Sequence, residues 1–290
     1  MRLSYLLSLT PLETWRIARH RLPGFKGGPA WTPEELLSSS KHGRGIRFAE
    51  LLLRQEAVVR RHRPWEPLDF AGKRVVEVGC GPLAGYGPLA IFCGATAFES
   101  AEPEWDERLF YSDEITDRYL RIFHADLTGL YGPRMDFAVF CRALRERTTV
   151  HRCGFEAAPM NGPVDIVLSQ SCLEHVFPLE ATVKKLASIQ SQQTRFLHLV
   201  DFGNHYPTGN PFDGLYEQPP ADYIAHRGKA INLLRAPDVE GLFKRYGIPA
   251  QLIASRKIES SAGKIDPWWR ERYDETALFT QLALVAGPAA

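Results

Sequence analysis

A β-branched run that stops at a cluster of glycines constrains this chain more than any other stretch. Within Arg74–Leu89 (RVVEVGCGPLAGYGPL), Val75, Val76 and Val78 give the pattern of a strand buried on both faces. Gly79, Cys80, Gly81 and Pro82 end it, and Ala84, Gly85 and Gly87 follow closely. Glycine admits positive φ and has no Cβ to hold a ligand away from the backbone. A strand, a glycine-rich turn and then a helix is how α/β sheets present bare N–H groups to a bound molecule. The expected fold class is therefore α/β, with Gly79, Cys80 and Gly81 at a cofactor.

Glu77, two residues before the first glycine, narrows the ligand. A carboxylate at the mouth of the turn repels a pyrophosphate and suits a cation such as S-adenosylmethionine, which carries a sulfonium and an ammonium. Read this way, the stretch resembles the first motif, E/D-x-G-x-G, of the class I S-adenosylmethionine-dependent methyltransferases; it departs where a third glycine is common, at Leu83. The resemblance implies a Rossmann-like, mostly parallel seven-stranded sheet whose last strand is antiparallel. About 20 residues past the turn a second strand ends at Glu102-Pro103, where an acid can accept hydrogen bonds from both ribose hydroxyls. Glu99 competes for this role but falls inside the strand. A third strand is expected over 149–153, and the family commonly has an acid just beyond it facing the adenine; Glu156 or Phe155 stands there.

The segment VDIVLSQSCLEHV (Val164–Val176) is the second strong signal. It resembles the fourth-strand motif of small-molecule methyltransferases, in which such a strand runs into LEHV, and Ser171 is counted with the cofactor contacts. The resemblance covers roughly residues 70–200. Glu174, His175, Asp201 and His205 cluster by sequence at the ends of the fourth and fifth strands. Removing the proton of a hydroxyl acceptor needs a His or carboxylate base; His175 is the first choice, oriented by Asp201 or Glu174, and His205 the second. By alternation His198 points into the sheet as a core residue. Two acids and two histidines could also hold a divalent cation on a sugar diol, as in some natural-product and RNA-end methyltransferases; in the RNA-end group a first glutamate lies three before the LEHV glutamate, and that position is Ser171 here. A metal is not favoured. The segments VDFGNHYP, PFDGLYEQPP and INLLRAPD resemble a branch associated with bacterial polysaccharide and glycolipid assembly, whose fifth strand ends H-x-x-D-x-x-x-H as His198, Asp201 and His205 do. That likeness implies a sugar hydroxyl as acceptor, with Asn204, Asn232 and Arg235 as substrate contacts.

Residues 1–69 read as a helical extension and 70–290 as the methyltransferase-like domain, with a helical insertion over 105–147 and a substrate-side loop region over 203–235. Thr32-Pro33-Glu34-Glu35 is a helix start, and a second helix is expected over 46–61 with Ile46, Ala49, Leu53 and Val58 among its apolar positions. A formal net charge of +1 argues against nucleic acid as the main partner. The charge is uneven, with 12 Lys/Arg against 5 Asp/Glu through Arg63. Leu6, Leu7, Trp15, Arg16 and Arg19 make that extension a candidate for peripheral contact with a membrane surface. Five cysteines without a C-x-x-C pair suit reduced thiols in a cytoplasmic protein. Two other readings stay open: a nicotinamide-dependent oxidoreductase with the same glycine pattern, and a non-catalytic subunit that binds S-adenosylmethionine.

Overall fold

The structure is a computed structural model and describes residues 32–38, 44–81, 83–103, 105–205, 209–258 and 264–288. Leu6, Leu7, Trp15, Arg16 and Arg19 lie outside these residues. Strands β1 (Arg74–Val78), β2 (Ala97–Ala101), β3 (Thr148–His151), β4 (Ile166–Gln170), β5 (Arg195–Asp201), β6 (Gln251–Lys257) and β7 (Thr280–Gly287) form one sheet in the order β3-β2-β1-β4-β5-β7-β6. Pairs from β3 across to β5 are parallel, and β7 runs antiparallel to both β5 and β6. This is a Rossmann-like sheet with its one reversed strand last in the chain, as the class I methyltransferase fold requires. Strand order turns back between β1 and β4, and in open α/β sheets ligands bind beyond the carboxyl ends of strands at such a point.

Alternate residues of the central strands feed two cores. Val75, Ile166, Leu168, Leu197 and Leu284 join one, and Val76, Val78, Val167, Phe196 and Val285 the other. The second core is closed by α6 (Leu179–Ile189) and α8 (Ala236–Arg245), whose buried positions include Val183, Leu186, Val239 and Phe243. The first is closed by α1 (Pro33–Ser38), α2 (Gly45–His62), α3 (Gly87–Phe92), α4 (Arg121–Tyr131) and α5 (Phe137–Arg147). Residues 105–147 thus serve as the crossover from β2 to β3: Phe123, Leu127, Phe140 and Leu144 are buried against α2 and α3. They form a layer on one face of the sheet.

The buried face of α2 differs from its expected apolar positions. Phe48, Ala49, Leu52, Gln55, Glu56 and Val59 are buried, while Ile46 and Leu53 are among the exposed large hydrophobics. The spacing 48, 52, 55, 59 is a helical stripe, and it includes polar Gln55 because that side chain has a partner on the sheet.

Residues 209–235 are an organised part of the fold. Phe212, Leu215, Tyr216, Ile231 and Leu233 build a third small core with Tyr223 of α7 (Pro220–Arg227) and with Ile265, Trp269 and Leu278. Among the described residues no helix is long and apolar enough to cross a membrane.

Candidate functional site

The glycine turn leaves β1 at the sheet's switch point. Gly79, Gly81 and Gly85 have φ of +67°, +66° and +46°, the left-handed region that glycine enters freely. A Cβ built on Gly79 would lie 2.2 Å from the Cys172 Sγ, so the turn and the loop after β4 are packed with no room for a side chain. Cys80 is buried, with its Sγ against the Gly81 carbonyl.

Glu77 lies beneath this bend. It is 1% exposed, and its Oε2 accepts from the Tyr86 N–H at 2.8 Å. A Cβ on Gly85 would sit 2.4 Å from the same carboxylate, so the bend wraps it closely. Burial pushes the Glu77 carboxyl up to about 8; the Tyr86 N–H opposes this and the Glu102 charge adds to it. Glu102 follows β2 as expected. It is half-buried and accepts from the Gly81 N–H at 2.9 Å, which joins the end of β2 to the turn. Glu99 is occupied elsewhere, 2.8 Å from the His151 Nε2. Burial pushes the thiols of Cys80 and Cys172 up, and carboxylates add to it: Glu77 and Glu102 on the first, Glu174, Glu102 and Glu77 on the second.

A cation resting on the bend favours the ionised form of Glu77 and so displaces its proton. Were S-adenosylmethionine that cation, its binding near pH 7 would release protons, read as a calorimetric heat that varies with the buffer's ionisation enthalpy. Glu77→Gln should remove most of that dependence, and a dependence that survives the change would separate Glu77 from the ligand. Glu102→Ala should weaken S-adenosylhomocysteine binding by about 1–3 kcal/mol, the loss expected for charge-assisted hydrogen bonds. Calorimetry checks it, and an unchanged affinity would remove the ribose role.

Ser171 ends β4 with φ +46°, and its N–H donates to the Leu199 carbonyl at 3.0 Å. Residues 173–175 then form one 3-10 turn, which buries Leu173 and Glu174 and leaves His175 exposed. The Glu174 Oε1 accepts from the Asp201 N–H at 3.2 Å, while its Oε2 is buried with no hydrogen-bond partner. Burial pushes this carboxyl up to about 8. His175 holds its Nδ1 2.7 Å from the Ala230 carbonyl, so Nδ1 carries the proton and the Nε2 lone pair is left for chemistry. That carbonyl, and neither acid, orients His175. The acids flank His205 instead: its Nε2 lies 3.8 Å from Glu174 Oε1 and 3.7 Å from Asp201 Oδ2, and its ring meets that of His175 edge-on with centroids 4.8 Å apart. One ligand atom each from Glu174, His175 and His205 fall within 4.8 Å of one another, close enough to converge on a metal ion.

His198 is the core residue that alternation predicts. Its Nδ1 pairs with the Ser169 hydroxyl at 2.8 Å, and burial pushes its pKa down to about 3. Glu156 is exposed on the 3-10 turn Phe155–Ala157, its carboxylate folded back over Gly154, while Phe155 packs into the core beside Val78 and Ala101. The polar groups of Asn204, Asn232 and Arg235 bond within the protein. Asn204 is buried and its amide donates to the Asp213 carbonyl at 2.7 Å. The Asn232 amide donates to the carbonyls of Leu173 and Val176, tying residues 231–235 to the LEHV turn. Arg235, 1% exposed, donates to the Phe202 carbonyl and the Tyr216 hydroxyl, with its guanidinium over the rings of Phe202, Tyr216 and Trp269. These three hold the loops beside the LEHV turn in place.

Gln170, at the end of β4, is a site residue that the motifs do not mark. Its Oε1 accepts from Gln55 of α2 and from the Tyr86 hydroxyl, and Phe48 of α2 stacks edge-on against Tyr86. No local pattern marks it, because Gln55 reads as a surface residue of α2 until its partner is known. Ala84, Ser171, His205 and Leu233, the non-glycine residues with positive φ among those described, all fall in these loops, and strained backbone gathers at functional sites.

No family model matches this sequence, and no curated protein matches it. Among solved structures it is similar to YcgJ from Bacillus subtilis (13% identity, covering 71% of this chain and 72% of that one, TM-score 0.39). It is also similar to an S-adenosylmethionine-dependent methyltransferase from Mesorhizobium loti (15% identity, covering 79% and 94%, TM-score 0.41). A third is phosphoethanolamine N-methyltransferase 2 from Haemonchus contortus (14% identity, covering 77% and 47%, TM-score 0.39). At these scores the likenesses carry no weight for activity.

Proposed function

We propose that the chain is an S-adenosylmethionine-dependent methyltransferase that O-methylates a hydroxyl of a sugar, glycan or other small molecule. The observation that carries the reading is the acidic, glycine-lined bend: half-buried Gly79 and Gly81 at positive φ, Glu77 enclosed beneath it and Glu102 bonded across it. A dinucleotide would bring its pyrophosphate to this place, where the nearby charges are carboxylates. A sulfonium cofactor brings a positive charge and no phosphate.

The residues present fit that cofactor. Gly79 and Gly81 would lie against it, Glu102 would accept from its ribose and Glu77 would meet its positive charge. When bound it supplies an activated methyl group. The acceptor would then lie towards His175, Asp201 and His205, where the exposed imidazoles open from the buried Glu174. His175 has its Nε2 lone pair available to take the acceptor's proton. Transfer of that methyl group to the acceptor oxygen would leave the oxygen's proton on the His175 Nε2. Alignment and exclusion of water supply the rest. A sugar acceptor is favoured by the His198, Asp201 and His205 spacing, although His198 itself stays in the core.

Calorimetry with S-adenosylhomocysteine and NAD side by side tests the cofactor, since only the first should bind at micromolar levels. Tight NAD binding would turn the assignment to an oxidoreductase. Cofactor binding without methyl transfer to any cell extract would favour a non-catalytic subunit. For the acceptor, mass spectrometry of cell-surface glycans from a strain lacking the protein should show a species lighter by one methylene.

A further inference from the structure

We propose that Glu174, His175 and His205 bind a divalent transition-metal ion on the acceptor side of the cleft. The chemistry of this inference rests on the methyltransferase reading, but its geometry does not.

Ligand atoms from the three residues already lie within 4.8 Å of one another. Ligands about 2.0–2.2 Å from one ion stand roughly 3–3.5 Å apart, so a modest inward turn of two exposed imidazoles completes the set. Each residue is prepared in its own way. His175 donates its Nδ1 proton to the Ala230 carbonyl, the outer bond that commonly fixes a metal-binding imidazole and frees Nε2. Glu174 is 3% exposed and its Oε2 has no hydrogen-bond partner, which is costly for a carboxylate unless a cation completes it. His205 is held in a left-handed backbone conformation, φ +55°, that aims its ring at that carboxylate.

Two imidazoles and one carboxylate suit zinc, cobalt, iron or nickel better than magnesium, which prefers oxygen ligands. Asp201 Oδ2, 3.7 Å from the His205 Nε2, stands just outside the set. An ion here lowers the pKa of a hydroxyl that binds it. The proton acceptor then passes from His175, now a ligand, to Asp201.

The test uses the full-length protein stripped with chelator and titrated with cobalt(II) chloride, with zinc and magnesium chlorides in parallel. Expected are one cobalt per chain, visible absorption bands typical of nitrogen ligation, displacement by zinc and none by magnesium. His205→Asn keeps a residue that tolerates positive φ and should lower cobalt affinity at least about tenfold, as should Glu174→Gln. Cobalt uptake absent from the wild-type protein, or unchanged in folded His205→Asn, overturns the proposal. Should S-adenosylhomocysteine bind while cobalt does not, the ion falls and the cofactor reading stands. Should cobalt bind as described while S-adenosylhomocysteine does not, the ion site stands and the cofactor reading falls.

Discussion

His175→Ala is expected to reduce methyl transfer by about 10²–10⁴-fold, the range of a positioned acid–base group, whether its Nε2 takes the proton or holds an ion that acidifies the hydroxyl, while affinity for S-adenosylhomocysteine stays near the wild-type value. The separation follows from where the residue sits. His175 is on the turn after β4, exposed on the acceptor side, and its bond to the Ala230 carbonyl is its only link to the neighbouring loop among the hydrogen bonds described. The glycine turn and Glu102 are held by other contacts. Turnover is read as S-adenosylhomocysteine produced with the acceptor, and binding by calorimetry on the same sample. A near wild-type rate would pass the proton-accepting role to His205 or Asp201. A parallel loss of cofactor affinity would show that His175 shapes the cofactor pocket instead.

Gly79→Ala is expected to cost the fold heavily. A side chain at φ +67° carries about 1–2 kcal/mol of backbone strain. The new methyl would also overlap the Cys172 Sγ, adding about 1–3 kcal/mol of overpacking. Urea unfolding measures the sum. The two components separate by adding Cys172→Ala: removing the sulfur leaves a Cys172 Cβ contact of 3.3 Å, tight but tolerable, so the overlap should be relieved and the strain should remain. Full recovery in the double variant would mean that the positive φ costs nothing; no recovery would mean that Cys172 is not what the turn packs against.

Much of the fold is legible in the sequence because its strands are short, β-branched and stopped by turn residues. Val75, Val76 and Val78 can be read as buried on both faces, and Glu102 as a strand-end acid, because Pro103 ends the strand directly after it. Residues whose role depends on distant partners are less legible. Nothing local to Arg235 reveals that Phe202, Tyr216 and Trp269 converge on it from three segments. Pattern alone also misplaces the buried face of α2, since Gln55 and Glu56 look like surface residues until their partners, Gln170 and the Leu68 N–H, are known. In the same way, an acid is the expected support for His175, but a backbone carbonyl provides it, and a carbonyl leaves no mark in a sequence.

The docking of α2 on Tyr86 and Gln170 bears on how the chain can be divided. Trimming it at Phe70, where the sheet-forming part begins, would take away the partners of Gln170 and Tyr86 and uncover aromatic surface. The shortened protein would keep every motif residue yet tend to self-associate.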